Sequence, residues 1–215
     1  MNPVDAFEQH LSTQEREIVA GLDSPLHIQA FLDGIPYNTD PIYLCPPRVL
    51  RERRAHCFDG ALFAAAALRR LGHPPLVVEL VAVRDDVHML ALYKRWGCWG
   101  AVAKSNVVGL RFREPVYRTL RELVMSYFEQ YYNLDRERTL RGYRRPVNLK
   151  RFDRLNWMSS DEHLETIANR LEDVRCVPVV SAEMIEALSL MDERSYQAGL
   201  QGSDEKGLYK PGREK

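Results

Sequence analysis

The stretch Ala55-His56-Cys57-Phe58-Asp59-Gly60-Ala61-Leu62-Phe63-Ala64-Ala65-Ala66-Ala67-Leu68-Arg69-Arg70-Leu71-Gly72 decides how this chain is read. Phe58, Leu62, Phe63 and Ala66 recur at helical spacing and Gly72 stops the run, which predicts a helix over Cys57 to Leu71. That helix opens on a cysteine. A helix N-terminus leaves backbone N–H groups unpaired and carries partial positive charge. A thiol placed there ionises more readily, and the thiolate is the reactive form. The small residues Ala55, Gly60 and Ala61 let a substrate backbone or a sheet come close.

Downstream, His73-Pro74-Pro75 breaks the chain. Leu76 to Val83 predicts a strand, interrupted by Glu79, which reads most simply as an exposed edge carboxylate. Asp85-Asp86 predicts a turn, Val87 to Tyr93 a second strand, Lys94 to Gly97 another turn, and Cys98 to Ala103 a third strand. A helix followed by three successive strands implies an α+β fold, with the cysteine-bearing helix packed on a small antiparallel sheet. A nucleophilic cysteine needs a base within hydrogen-bond reach, normally histidine. His88, at the start of the second strand, is the candidate. His56 adjoins Cys57, but neighbouring helical positions point in different directions.

Additional helices are expected at both ends. Ser12 with Glu15 has capping-box spacing, and Ser24-Pro25 opens a helix that Gly34 closes. Ile35 to Pro47 holds five prolines and asparagines and predicts an irregular loop bordering the site. Pro115 precedes an amphipathic helix with Leu120, Leu123, Val124, Tyr127, Phe128 and Tyr131 on one face. Asn133 to Asp153 reads as Arg-rich turns. Ser159 with Glu162 opens a helix to Leu171, Cys176 to Val180 is a short strand, and Ser181 caps a last helix through Leu190. Residues 1–199 are expected to form one domain, and the polar tail 200–215 to be disordered.

The 215 residues are 45% hydrophobic and 28% charged, a balance that supports a core. Thirty basic and thirty acidic side chains cancel, so no overall field favours nucleic acid or a membrane. The Arg-rich stretches at 48–54 and 136–145 leave binding of an acidic partner open. The longest apolar run, Ala61 to Leu68, is too short to span a bilayer, and no signal peptide is read. Cys45, Cys57, Cys98 and Cys176 show neither CxxC nor disulfide spacing, which fits free thiols in a reducing cytoplasm. No metal or cofactor is expected: the histidines lack paired ligand spacing, and no phosphate-binding glycine motif occurs.

Ala55-His56-Cys57-Phe58-Asp59-Gly60-Ala61, then Asp86-Val87-His88-Met89-Leu90 and the turn into Trp99, resemble the transglutaminase-like (papain-related) cysteine superfamily, including bacterial members. The resemblance spans roughly Leu50 to Leu110, the scale of a domain core. It implies a transglutaminase-like core in which a cysteine opens the central helix, a histidine begins the next hairpin strand, and an aspartate follows on the third strand. Four residues after Trp99, the family's aspartate position holds Ala103 here. Asn106 is therefore the expected third member, with Ser105 as its alternative and Lys104 as a possible oxyanion-stabilising cation. The implied activity is a cysteine-dependent amide or acyl hydrolase, or acyltransferase, acting on a peptide or small amide through Cys57 and His88. The rival expectation is an inactive fold serving as a binding or scaffold protein.

Overall fold

The computed structural model describes residues 3–210. Helix α1 (Pro3–Gln9) precedes α2 (Thr13–Ala20), where Ser12 and Glu15 exchange both hydrogen bonds of the capping box. Helix α3 (Pro25–Asp33) starts on the Ser24 cap and ends at Gly34. The irregular loop stops at Cys45, because Pro46 and Pro47 start α4 (Pro46–Glu52), where proline's missing N–H would be unpaired anyway. Helix α5 (Cys57–Arg70) matches its expected span closely.

Strands β1 (Leu76–Ala82), β2 (His88–Arg95) and β3 (Cys98–Val102) follow in the expected order, all antiparallel. Trp96 and Gly97 join β2 to β3 with positive φ at both positions (52° and 78°), the turn geometry that matches strand twist. Then come β4 (Arg113–Tyr117), β5 (Leu140–Arg144), β6 (Val147–Asn148) and β7 (Cys176–Pro178). The described residues form one seven-stranded sheet in the order β4-β3-β2-β1-β5-β7, with β6 beside the start of β1. The fold is α+β, with a cysteine-bearing helix on an antiparallel sheet and helices at both ends.

Alternation along the strands sorts the core into two layers. Met89, Ala91 and Tyr93 of β2 pack with α5, as do Val77 of β1 and Val102 of β3. Leu90 and Leu92 face the other way, with Val78, Leu80, Tyr127 and Tyr131. Helix α5 is buried from Cys57 through Leu68, which accounts for its apolar character on every face. At Gly60 an added Cβ would stand 2.3 Å from the Lys104 Cβ, so only glycine allows the two segments to meet.

Four local expectations change. Pro115 lies inside β4, an edge strand, where its missing N–H is tolerated. The amphipathic run yields only α6 (Leu120–Met125), whose start is set by the Thr119–Glu122 capping box, followed by a 3₁₀ turn over Phe128–Gln130. The segment read as Arg-rich turns supplies β5 and β6. Glu79 is no edge residue: β1 lies inside the sheet, Glu79 is 5% exposed, and Arg144 Nε reaches its carboxylate at 2.7 Å.

Helix α7 (Leu164–Glu172) begins later than its Ser159–Glu162 spacing implied, while Ser181 caps a short α8 (Ala182–Glu186) as expected. After α9 (Glu193–Leu200), residues 201–210 lie against the body, and the rest of the tail, 211–215, is outside the described residues. Among the described residues, no helix is long and apolar enough to cross a membrane.

Candidate active site

Cys57 is the first residue of α5 and is 3% exposed. His56 before it is the N-cap, in extended backbone (φ −79°, ψ 172°), so its ring folds back over the helix mouth. Its Nδ1 lies 3.5 Å from Cys57 Sγ and 3.5 Å from the Phe58 nitrogen. The expected divergence of the two side chains applies to helical backbone, and the N-cap is not helical. Asp59 braces the cap by accepting from the N–H groups of His56 (3.0 Å) and Leu44 (2.9 Å). Burial raises the Asp59 pKa, and those two donors oppose the shift. The Cys57 thiol donates to the Val87 carbonyl at 3.8 Å, one residue before His88.

Tyr37 was not singled out in the sequence, although the loop that carries it was. The Asn38 N–H donates to the Ala55 carbonyl (3.0 Å) and the Ala55 N–H to that of Pro36 (3.3 Å), forming a parallel bridge just before α5. This bridge holds the Tyr37 hydroxyl against Cys57, where both the backbone N–H and the thiol act on it. Burial pushes the Tyr37 pKa well above its ordinary value, so the group stays a hydroxyl and can donate.

His88 is 4% exposed at the start of β2. Its Nε2 lies 2.7 Å from the Leu110 carbonyl oxygen. A carbonyl only accepts, so Nε2 carries the proton and Nδ1 holds the lone pair of the neutral ring. The group orienting His88 is thus a backbone carbonyl. Among the described residues, no hydrogen bond joins His88 to Cys57 or to Asn106. Tyr37 borders both centres: it meets Cys57, and it lines a pocket of about 60 Å³ with His88, Asp85, Asn106 and Tyr131.

The other expected site residues are occupied elsewhere. Asn106, expected on His88, bonds instead to Asp204. Ser105 Oγ accepts from the Val107 N–H at 3.0 Å. Lys104 is buried, and its Nζ donates to the carbonyls of Leu32 and Ile35. Burial lowers its pKa to about 8, and those carbonyls take two of the three donors of its ammonium. Of the other cysteines, Cys45 is buried, and burial pushes its thiol up to about 12.

Asp85, read from the sequence as a turn residue, faces the same pocket. It accepts from Thr139 Oγ1 (2.6 Å) and from the Asp86 N–H (2.9 Å), and burial raises its pKa from 3.8 to about 7. A carboxyl with a raised folded-state pKa contributes stability that is fully present below 3.8 and lost as pH rises through about 7. Urea unfolding should therefore show stability falling by on the order of 2 kcal/mol from pH 4 to pH 8, allowing for partial exposure. Asp85→Asn should flatten that slope; an unchanged slope would remove Asp85 as its source.

Among the described residues, no cluster of three His, Cys, Asp or Glu side chains could hold a metal. No family model matches the chain, and no curated protein matches it. Among solved structures it is similar to Legionella pneumophila LapG, at 14% identity and a TM-score of 0.37, over 51% of this chain and 75% of that one. The EGTA-treated form of LapG gives 14% identity and a TM-score of 0.37, over 52% and 74% of the two chains.

Proposed function

We propose that the protein is a cysteine-dependent amide or acyl hydrolase, or an acyltransferase of the same chemistry, acting on a peptide or small amide. The observation that carries this reading is the Cys57 thiol at the mouth of α5, with the His56 Nδ1 at 3.5 Å, a tyrosine hydroxyl against it, and the Val87 carbonyl, one residue before His88, at 3.8 Å. In the proposed reaction Cys57 Sγ bonds to the substrate carbonyl carbon, and the thiol proton passes to His88. The Cys57 N–H and the Tyr37 hydroxyl receive the oxyanion. The C–N bond then breaks, the amine leaves with the proton from the imidazolium, and a thioester remains. Water, deprotonated by the same ring, releases the acid and returns the thiol.

His88 enters with its Nε2–H fixed on Leu110 and Nδ1 as its basic nitrogen. His56 is the rival base, being the imidazole in contact with the thiol. Ala103 at the family's aspartate position and the unbonded Cys57–His88 pair favour a second reading, a binding protein without turnover. Iodoacetamide alkylation of Cys57 at pH 7, followed by mass spectrometry, separates these readings. The expected result is about a hundredfold slower reaction in His88→Ala, the low end of base catalysis. Slowing in His56→Ala alone transfers the role to His56. Indifference to both substitutions sinks the catalytic reading.

A further inference from the structure

The chain's own C-terminal segment lies across the candidate site. The Asn106 side chain donates from Nδ2 to the Asp204 carbonyl (2.8 Å) and accepts the Asp204 N–H on Oδ1 (2.8 Å). Ser203 Oγ donates to the Asn106 carbonyl at 2.6 Å. One edge of a carboxamide offers one N–H and one carbonyl oxygen side by side, which here pair with the carbonyl and N–H of Asp204, so the contact reads backbone and not side chain. Three residues on, at the end of a 3₁₀ turn over Glu205–Gly207, the segment comes close over Tyr37. A Cβ at Gly207 would stand 2.9 Å from Asn106 Nδ2, 3.0 Å from Tyr37 Cδ1 and 3.3 Å from Thr39 Cγ2. Leu208 and Tyr209 then line the pocket that holds His88.

The segment lies between two hollows that share Tyr37, Ser105 and Asn106. The second, of about 590 Å³, also reaches Lys104 and Arg111. The hold is slight: no residue from 201 to 210 is buried. An element with few buried apolar contacts opens locally at low cost.

We propose that the groove floored by Tyr37 and Ser105–Val107 is a peptide-binding subsite, and that Ser203–Tyr209 is its built-in competitor. The ligand class is a peptide that makes a 3₁₀ turn, as Glu205–Gly207 does here, with glycine three residues after the one clamped by Asn106. Binding stands by itself; its consequence for turnover rests on the function proposed above. With the segment seated, Tyr37 is pinned over Cys57 and a substrate carbonyl is kept from the Cys57 N–H. A competing peptide displaces the segment and opens the site.

The test uses full-length chains and a fluorescein-labelled peptide of residues 201–210, read by anisotropy. Gly207→Val drives the segment off Tyr37, and Asp204→Pro removes the N–H that Asn106 accepts, so the two variants release the segment by independent routes. Both lie in an exposed stretch, and a circular-dichroism melt checks that the body is intact. Each is expected to bind the peptide at least about tenfold more tightly than the wild type, because the internal competitor is gone. Adding Asn106→Ala to either should return affinity to the wild-type level or below. Equal affinity in the wild type and both variants overturns the proposal, as does a gain that survives Asn106→Ala. Peptide binding gained while Cys57 alkylation ignores both histidines leaves the subsite standing and removes only the catalytic reading.

Discussion

Cys57→Ala is expected to abolish acyl-enzyme formation. With p-nitrophenyl acetate as a generic activated acyl donor, the wild type should release a burst of p-nitrophenol stoichiometric with Cys57, the kinetic mark of a covalent intermediate. The variant should lose that burst, with the rate down at least about a thousandfold, as when a nucleophile is removed from a catalytic unit. The other thiols do not replace it. Cys45 is held protonated by burial, with its pKa raised to about 12. Cys98 and Cys176 lie on β3 and β7, away from the mouth of α5. Stability should change little, because alanine fits where a small, buried cysteine sat. A burst that persists in Cys57→Ala and disappears in Cys176→Ala would move the nucleophile and end the present assignment.

Arg144→Ala should cost about 3–5 kcal/mol of stability in urea unfolding, the range for breaking one side of a buried ion pair. Arg144 Nε meets Glu79 at 2.7 Å, and its Nη1 donates to the Val174 carbonyl at 2.9 Å. Burial raises the Glu79 pKa, and Arg144 is the group that opposes the shift. Without the guanidinium the carboxyl is pushed further toward its neutral form. The deficit should therefore be smallest below the ordinary carboxylate pKa and grow as pH rises through neutrality. Glu79→Leu combined with Arg144→Met should recover most of the loss, because two apolar side chains leave no charge stranded in the sheet. A loss under about 1 kcal/mol, typical of an exposed pair, would show the pair to be solvated.

The helix at Cys57 and the hairpins after it were legible in the sequence because their signals are local. Periodicity, a stop at Gly72 and paired turn residues decide them within a few positions. Strands β4 to β6 were not legible. Arg141 and Arg144 look like solvated turn residues until β1 is known to need a partner there, and Pro115 reads as a break unless its strand is an edge. Glu79 was misread for the same reason, since only the strand order puts β1 inside the sheet.

At the site, the thiol and both imidazoles were visible as residue types, and spacing alone could not orient them. The N-cap geometry that brings His56 onto Sγ depends on one backbone angle. The orienting group for His88 is a main-chain carbonyl, which no side-chain pattern reports. Tyr37 and Asp204 reach the site only through long-range pairing, at Ala55 and Asn106 respectively.

The place of β1 in the strand order also bears on synthesis. Its β2 neighbour arrives almost at once, while Arg144 of β5 stands 65 residues after Glu79. At a translation rate of roughly 5–20 residues per second, the outer edge of β1 waits on the order of several seconds for its partner. Through that interval the nascent chain presents an unpaired apolar edge, Val77-Val78 and Leu80, with a carboxylate between them. A charge at Glu79 in that edge is of the kind that opposes strand-to-strand aggregation, and it is made before Arg144, its partner in the folded sheet.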